Sequence, residues 1–158
     1  MDTQNLETCK YIELNGVQLC CFTNGNIYRV LANGDMKHYK GTKRKDNYIQ
    51  IGINQKRYLL HRVMGYAFLD LDINNIKIEI DHINRIKYDN RLDNLRVVTH
   101  QHNNWNKDTK GWTLLNNGKY RARIQTPERK QIYLGYFDNE IDAHNAYLKA
   151  KEEYHIFN

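Results

Sequence analysis

The stretch of sequence from residue 78 to 106, IEIDHINRIKYDNRLDNLRVVTHQHNNWN, constrains the fold more than any other. Its first residues alternate as in a half-buried strand that ends near residue 82, and the polar run 84–93 predicts a loop. Leucine and valine at 95–98 predict a second strand, after which Thr99 is a suitable N-cap for a short helix. The segment therefore predicts a hairpin with one helix packed across it.

Four polar side chains of this unit are candidates for catalysis or metal binding: those of Asp81, His82, Asn94 and Asn103. The packed helix would bring Asn103 close to Asp81, and the side-chain oxygens of these two residues are hard ligands of the kind that Mg²⁺ or Mn²⁺ prefers. His82 has an ordinary pKa near neutrality and is a candidate general base. Asn94 is expected to bond across the loop or to His82. Adjacent strand residues point to opposite faces, so Asp81 and His82 can reach one phosphate only where the strand ends or bends.

Phosphodiester hydrolysis matches this set of groups. Water must lose a proton as it attacks, and the charge that develops on the phosphate and the leaving oxygen must be stabilised, which a divalent ion can do. On spacing alone the pattern could also arise by chance in a chain this rich in asparagine. His100 and His102 are alternative metal ligands, although phosphate contact or simple exposure fits them better.

The charge balance favours a polyanionic partner. The 158 residues carry 24 Lys and Arg against 18 Asp and Glu, a formal net charge of +6. No apolar stretch is long enough to span a bilayer, and the first ten residues contain no signal-peptide core. Three cysteines without a C-x-x-C pair favour reduced thiols. We therefore expect an intracellular protein that binds nucleic acid, with no membrane contact and no small-molecule cofactor.

The residues before this unit predict further strands and one helix. Residues 26–60 alternate strands with turns, among them a hairpin turn at Asn54–Gln55 and a basic loop at 41–46. An apolar face recurs at i, i+3, i+4 and i+7 from Leu60, which predicts a helix to about Phe68. His61 and Arg62 lie just beside that face, where they would contact phosphate, brace the site, or be ordinary surface or structural residues.

The C-terminal part predicts a second small module. Three strands are expected between residues 112 and 137, followed by a helix that begins after Asp138 or Asn139 and runs to about Tyr154. On the middle strand Arg121 and Arg123 alternate with apolar residues, so both would lie on one face. Such a ribbon can enter a major groove or grip phosphates, unless the arginines are simply solvated.

The pattern D-H-I-N…D-N-R-L-D-N-L-R-V-V-T-x-x-x-N-N-x-N resembles the HNH nuclease motif of the phage and intron homing-endonuclease branch. Residues 58–68 are similar to the helix that precedes the motif there. The resemblance implies a ββα-metal fold in which His82 is the general base, Asp81 and Asn103 hold the metal, and Asn94 holds the loop or orients the base. The Asn-Pro that is usual before Asp81 is missing here, and an Asn replaces the final His of the motif's name.

The C-terminal segment, at about 111–155, resembles the ethylene-response-factor type of DNA-binding domain. The shared marks are Y-R-A-R-I, then Y-L-G-Y-F-D, then an alanine-rich helix with A-H-N-A-Y. This resemblance implies that Arg121 and Arg123 contact DNA. We add Arg62 and Arg91 as further candidates for DNA contact.

The expected fold class is α+β: a ββα-metal centre flanked by a strand-rich N-terminal segment and a C-terminal three-stranded sheet with a helix. The expected division is 1–57, a nuclease domain at 58–106, a linker at 107–110, and a DNA-binding domain at 111–158. The expected function is metal-dependent cleavage of double-stranded DNA by a monomer or weak dimer. A non-catalytic DNA-binding regulator with a degenerate nuclease fold is the alternative, and an RNA-binding module is a weaker one.

Overall fold

A computed structural model describes residues 8–156, which form two compact units that divide between Asn103 and Asn104. Both units mix α and β structure, and the described residues contain twelve strands and three α-helices, as the predicted fold class requires. None of these helices is long and apolar enough to cross a membrane.

The first unit opens with a four-stranded antiparallel sheet in which each strand pairs with the next along the chain. The strands are β1 (Cys9–Leu14), β2 (Val17–Phe22), β3 (Ile27–Val30) and β4 (Met36–His38). β1 and β2 both lie within residues 1 to about 24, for which the sequence pattern is ambiguous. Leu19, Cys20 and Cys21 are fully buried in succession, so β2 lacks the alternation by which a half-buried strand is recognised. The three cysteines are free thiols.

A small three-stranded sheet and a helix follow. The elements are β5 (Thr42–Lys43), β6 (Ile49–Ile53), β7 (Lys56–Leu59) and α1 (Leu60–Phe68). The predicted turn between β6 and β7 is confirmed, since Asn54 and Gln55 have φ angles of 42° and 66°, the left-handed pair of a tight hairpin. The segment predicted to be a basic loop contains the short strand β5.

The segment 78–106 forms the hairpin and helix expected from its sequence. β8 (Ile78–His82) pairs antiparallel with β9 (Leu95–Thr99), and α2 (His100–Asn106) follows directly. The Thr99 hydroxyl accepts from the His102 backbone N–H at 3.3 Å, which confirms the predicted cap. α1 packs on the hairpin through Gly65, where a Cβ would lie 2.7 Å from Ile80 Cδ1. Glycine thus allows the close approach that brings α1 to β8.

The second unit is a three-stranded antiparallel sheet with one helix. Its elements are β10 (Trp112–Leu114), β11 (Tyr120–Gln125), β12 (Gln131–Phe137) and α3 (Glu140–Tyr154). The Asn139 side chain accepts from the Asp142 N–H at 2.9 Å, so Asn139 is the N-cap. Ala122 and Ala143 are fully buried, and small residues on both elements let α3 lie close to the sheet.

Candidate active site

The two central side chains, Asp81 and His82, are buried at the end of β8 and lie on opposite faces of the hairpin. His82 shares its face with Ile80 and contacts α1, since the His82 and His61 ring centroids are 5.1 Å apart. Asp81 shares the other face with Glu79 and pairs with Arg96 of β9. Strand alternation dictates this arrangement. The two functional groups therefore flank one strand end from its two sides.

The His82 imidazole is oriented by Asn90, a residue that the sequence analysis did not single out. His82 Nε2 lies 3.3 Å from Asn90 Oδ1, and Asn90 Nδ2 donates to the Tyr88 carbonyl at 3.1 Å. The second bond fixes the amide so that its oxygen faces the ring. Nε2 must then be the protonated nitrogen, which leaves the lone pair on Nδ1. This tautomer is the one in which Nδ1 can accept a proton.

Burial lowers the pKa of His82, because the charged imidazolium loses its hydration. The hydrogen bond to Asn90 and the negative charges of Asp81 and Asp89 act in the opposite direction, and the charge of Lys87 adds to the lowering. The net direction favours the neutral ring. A neutral imidazole at physiological pH is the form that can act as a base.

Asn94 holds the loop between β8 and β9 closed. Its Oδ1 accepts from the Asn84 N–H at 2.9 Å, and its Nδ2 donates to the Asp89 carbonyl at 2.8 Å. Of the two roles expected for Asn94, the structure thus has the bond across the loop, and Asn90 makes the contact with His82. The sequence D-N-R-L-D-N contains both asparagines, but spacing alone does not distinguish them.

Arg91 is engaged by an acid of the same loop. Its guanidinium forms two hydrogen bonds with Asp89, at 2.9 and 3.0 Å, which raise the pKa of Arg91 and lower that of Asp89. The side chain is 55% exposed. Much of the positive charge predicted to face DNA is therefore balanced within the loop.

An aromatic shell surrounds the inner side of His82. Tyr48 lies 5.0 Å from the His61 ring and 5.9 Å from the His82 ring, measured between centroids. His61 is 5% exposed, and its Nδ1 is buried without a hydrogen-bond partner. Burial lowers the pKa of His61 to about 3, with smaller contributions from His82 and Arg62. His61 is thus a neutral wall of the site rather than a surface residue.

The predicted metal ligands lie on the acidic face of the hairpin. Asp81 Oδ2 accepts from Arg96 Nε at 2.9 Å and from Nη2 at 2.7 Å. Asn103 of α2 donates through its amide nitrogen to Glu79 Oε2, and His100 Nδ1 lies 2.7 Å from Glu79 Oε1. Glu79 and Asp81 are two residues apart on one face, so Asn103 is brought to the face that carries Asp81.

The donor set on this face fits a hard divalent ion. The described residues contain no group of three or more His, Cys, Asp or Glu side chains that could hold a metal by themselves. Mg²⁺, however, commonly takes only one or two protein carboxylates and completes its shell with water and substrate phosphate. The Asp81 carboxylate meets that requirement and the Glu79 carboxylate lies on the same face, whereas the Asn103 amide bonds to Glu79 through its nitrogen and would have to turn its oxygen toward an ion.

Arg62, another candidate for DNA contact, binds the main chain instead. Its guanidinium donates to the carbonyls of Ile78, Ile73 and Asn75 at 2.9, 3.2 and 2.8 Å. Burial lowers the pKa of Arg62, which the charges of Asp72 and Glu79 partly offset. These bonds tie the connector between α1 and β8 to the helix, so Arg62 braces the strand that carries Asp81.

In the second unit Arg121 and Arg123 lie on the face of β11 opposite the buried Ala122 and Ile124. The Arg121 guanidinium stands over the ring of Tyr133, 5.8 Å from its centroid. Arg123 is exposed, and Tyr133 is 61% exposed. The structure thus brings the two arginines and an aromatic ring to one accessible surface of the sheet.

The N-terminal sheet supports the loop that carries Asn90. The Leu92 N–H donates to the Thr23 carbonyl at 2.8 Å. A Cβ on Gly25 would lie 2.9 Å from both the carbonyl carbon and the oxygen of Asn90. The turn between β2 and β3 is thus in direct backbone contact with the residue that orients His82.

Comparison with known proteins relates the segment that contains Asp81 and His82 to nucleases. Residues 58–105 match the HNH endonuclease family model, a span that runs from β7 into α2. No curated protein matches the chain significantly. The fold is similar to that of the HNH homing endonuclease I-HmuI, solved in the context of DNA binding and cleavage by that enzyme, with a TM-score of 0.51 and 23% identity. The similarity covers 78% of this chain and 76% of the other.

These findings confirm the predicted relation of residues 58–105 to HNH endonucleases at the level of family model and fold. At 23% identity the structural likeness concerns the fold alone. The roles of individual residues, and the resemblance of the second unit to ethylene-response-factor domains, stay predictions.

The contact between Gly25 and Asn90 predicts that Gly25→Ala disturbs the His82 ring. Gly34→Ala is the matched control, because Gly34 has a similar φ (87° against 90°) and nothing lies within 4 Å of its added Cβ. Both variants bear the left-handed strain, about 1–2 kcal/mol. Gly25→Ala should lose a further ~1–3 kcal/mol through the collision, measured by urea denaturation. Long-range ¹H–¹⁵N spectra should show the Nε2–H tautomer of His82 perturbed in Gly25→Ala only. Equal effects of the two substitutions would contradict the contact.

Burial of His61 predicts a pH dependence of stability. Its pKa is lowered from 6.5 to about 3, so between these values the unfolded chain binds the proton that the folded state excludes. This contribution is complete above pH 6.5 and is lost as the pH falls toward 3, at no more than about 1.4 kcal/mol per pH unit. Between pH 5 and 7, His61→Gln should therefore show a shallower fall in unfolding free energy than the parent. The exposed His38→Gln serves as control, and a parent-like slope in His61→Gln would refute the assignment.

Proposed function

We propose that this protein is a metal-dependent DNA endonuclease of the HNH type that hydrolyses a phosphodiester bond at the end of β8. One observation carries the proposal: a buried His82, oriented by Asn90, directly follows Asp81 within the span that matches the HNH endonuclease family model. The likeness of fold to a homing endonuclease that binds and cleaves DNA supports the same function.

In this proposal His82 is the general base. The hydrogen bond of Nε2 to Asn90 leaves Nδ1 to take a proton from water, and the lowered pKa keeps the ring neutral before the reaction. Asn94 acts at a distance, because it keeps closed the loop that carries Asn90. The scissile phosphate would lie at the end of β8, where it could approach both His82 on one face of the hairpin and Asp81 on the other.

Asp81 and Asn103 would hold a divalent ion, Mg²⁺ or Mn²⁺, on the opposite face from His82. Such an ion would neutralise charge on the phosphate and stabilise the leaving oxygen. Arg96 supplies the positive charge beside Asp81 in the structure, so the Arg96 guanidinium and a bound ion would have to share the Asp81 carboxylate. Asn103 would turn its amide oxygen, rather than the nitrogen bonded to Glu79, toward the ion.

The second unit would bind duplex DNA through Arg121 and Arg123, in the manner of the ethylene-response-factor domains that it resembles. Arg123 is exposed and Arg121 is half-buried on the same face of β11, and a ribbon that presents arginines in this way suits groove or phosphate contact. With one active site per chain, we expect a nick in one strand, and a double-strand break would require two binding events or a weak dimer. No small-molecule cofactor is needed for this chemistry, and an intracellular protein of the phage or intron type fits it.

A non-catalytic DNA-binding protein with a degenerate nuclease fold is the competing candidate. The contacts of Asp81 with Arg96 and of Asn103 with Glu79 favour it, because both candidate ligands already bond to protein groups. Metal-dependent cleavage separates the two functions, since a pure binder retards DNA on a gel without cutting it.

Cleavage of supercoiled plasmid tests the proposal. The parent protein should produce nicked circles with Mg²⁺ or Mn²⁺ and none with EDTA. His82→Ala should lower the nicking rate by roughly 10²–10⁴-fold, the usual contribution of a general base. Asn103→Ala should raise the metal concentration needed for half-maximal rate.

The exposed His38→Ala is the matched control and should cut like the parent. If the parent leaves many different plasmid sequences intact with either metal, the endonuclease proposal fails. If His82→Ala cuts as fast as the parent, the assignment of the base fails while the activity stands.

A further inference from the structure

Two lysines in the first unit are held against aromatic rings beside the candidate active site. The Lys87 ammonium lies over the Tyr48 ring, 4.8 Å from its centroid, and the Lys43 ammonium lies over the Tyr88 ring at 4.2 Å. Lys43 belongs to β5, and Lys87 to the loop between β8 and β9. Two elements far apart in sequence thus present the same lysine–tyrosine arrangement.

Both pairs connect to His82, the first directly through the Tyr48 ring and the second through Asn90. The Tyr48 ring centroid is 5.9 Å from that of His82. The Tyr88 carbonyl accepts from the Asn90 amide at 3.1 Å, and that same amide orients the His82 ring. The lysines therefore stand next to the groups that position the proposed base, although neither lysine belongs to those groups.

The charges of Lys43 and Lys87 are not balanced by acids. Within residues 8–156, neither lysine has a carboxylate within 4 Å, whereas Arg44 pairs with Asp46 at 3.0 Å and Arg91 with Asp89 at 2.9 Å. A cation over an aromatic ring gains only about 0.5–1 kcal/mol at an exposed site. The ring fixes where the ammonium sits but leaves its charge available to a polyanion.

We propose that Lys43 and Lys87 form a phosphate clamp, which binds the backbone of the DNA strand that passes His82. The clamp rests on the proposed endonuclease function and adds to it a binding site on the nuclease unit itself. Prearranged ammonium groups lose less side-chain freedom on binding than free lysines do. Because phosphate contacts carry no sequence information, the clamp positions the strand and does not select its sequence.

The direct test is the salt dependence of DNA binding. A 30-base-pair duplex is titrated with the full-length protein in EDTA, so that no cleavage occurs, and its fluorescence anisotropy is followed over a range of NaCl concentrations. For Lys43→Gln/Lys87→Gln, we expect the dissociation constant to rise roughly tenfold per lysine at about 0.1 M salt. The slope of log K against log salt should fall by about 0.9 per lysine, or about 1.8 in all.

The chain contains a matched control pair. Lys10 and Lys56 also stand over aromatic rings of the first unit, those of Phe68 and Tyr58, at 5.6 and 5.3 Å. Lys10→Gln/Lys56→Gln removes the same charge and the same kind of contact on β1 and β7. This control should leave the slope within about 0.5 of the parent value, and Lys43→Arg/Lys87→Arg should restore it. If the clamp pair and the control pair behave alike, the clamp is refuted.

Nicking kinetics separate failure of the clamp from failure of the proposed function. In the clamp variant the KM for plasmid should rise while kcat stays within about threefold of the parent, because binding is lost and the charge of Lys87 is the smallest of the influences on the pKa of His82. An active parent together with an unchanged KM in the clamp variant overturns the clamp alone. An inactive parent overturns the nuclease function, and the anisotropy result then still decides whether the lysines bind phosphate.

A competition experiment tests the class of nucleic acid. Unlabelled duplex DNA should displace the labelled duplex at a lower concentration than single-stranded RNA of equal length, and this difference should shrink in the clamp variant. Stronger displacement by RNA, lost in the clamp variant, would overturn the assignment of the clamp to DNA.

Discussion

The side-chain amide of Asn94 closes the loop on which the candidate site depends. It accepts from the N–H of Asn84 at the start of the loop and donates to the carbonyl of Asp89 in its middle. Asn94 is only 5% exposed, so a lost partner would leave a buried polar group unsatisfied, at about 1–3 kcal/mol for each. Because the loop has little regular structure, these two bonds and the contact of the loop with the turn between β2 and β3 determine where Asn90 lies. The orientation of the His82 ring therefore depends on a residue that does not touch it.

The two faces of the hairpin formed by β8 and β9 have different electrostatic environments. On the side of α1, His82 meets neutral rings and lies in a space where burial disfavours charge. On the other side, Glu79 and Asp81 place two carboxylates on one face, and Arg96 supplies the balancing charge. A neutral base needs the first environment, and a bound cation needs the second. One strand end can present both because its side chains alternate.

Local sequence predicted the elements whose signals are local. The turn at Asn54–Gln55, the apolar face of α1, the cap at Thr99 and the end of α3 at Tyr154 each depend on a few neighbouring residues, and all were confirmed. β1 and β2 were not predicted. In β2, consecutive buried residues break the alternation of buried and exposed positions by which a strand is recognised. The segment 78–106 was placed correctly as hairpin and helix, since its apolar alternation and cap are also local.

The roles that sequence could not assign are those set by tertiary contacts. Spacing made Asn94 a possible partner of His82, whereas the loop conformation gives that contact to Asn90. His61 was expected beside the apolar face of α1, but it is buried because β8 and Tyr48 cover it. Arg62 was a candidate for DNA contact. Its partners are three carbonyls of an irregular connector, which no sequence pattern predicts.

The bonds that the arginines make within the protein determine which positive charges of the chain are available to a partner. Arg44, Arg91 and Arg96 pair with aspartates, and Arg62 bonds to main-chain carbonyls. A planar guanidinium with several donors suits such fixed, multiple bonds, whereas a lysine ammonium is a point charge on a flexible stem. Protein groups therefore occupy these arginines, whereas Lys43 and Lys87, each over a tyrosine ring, keep charges that the proposed clamp would offer to DNA. The count of basic residues predicts a polyanionic partner but does not indicate which cations would contact it.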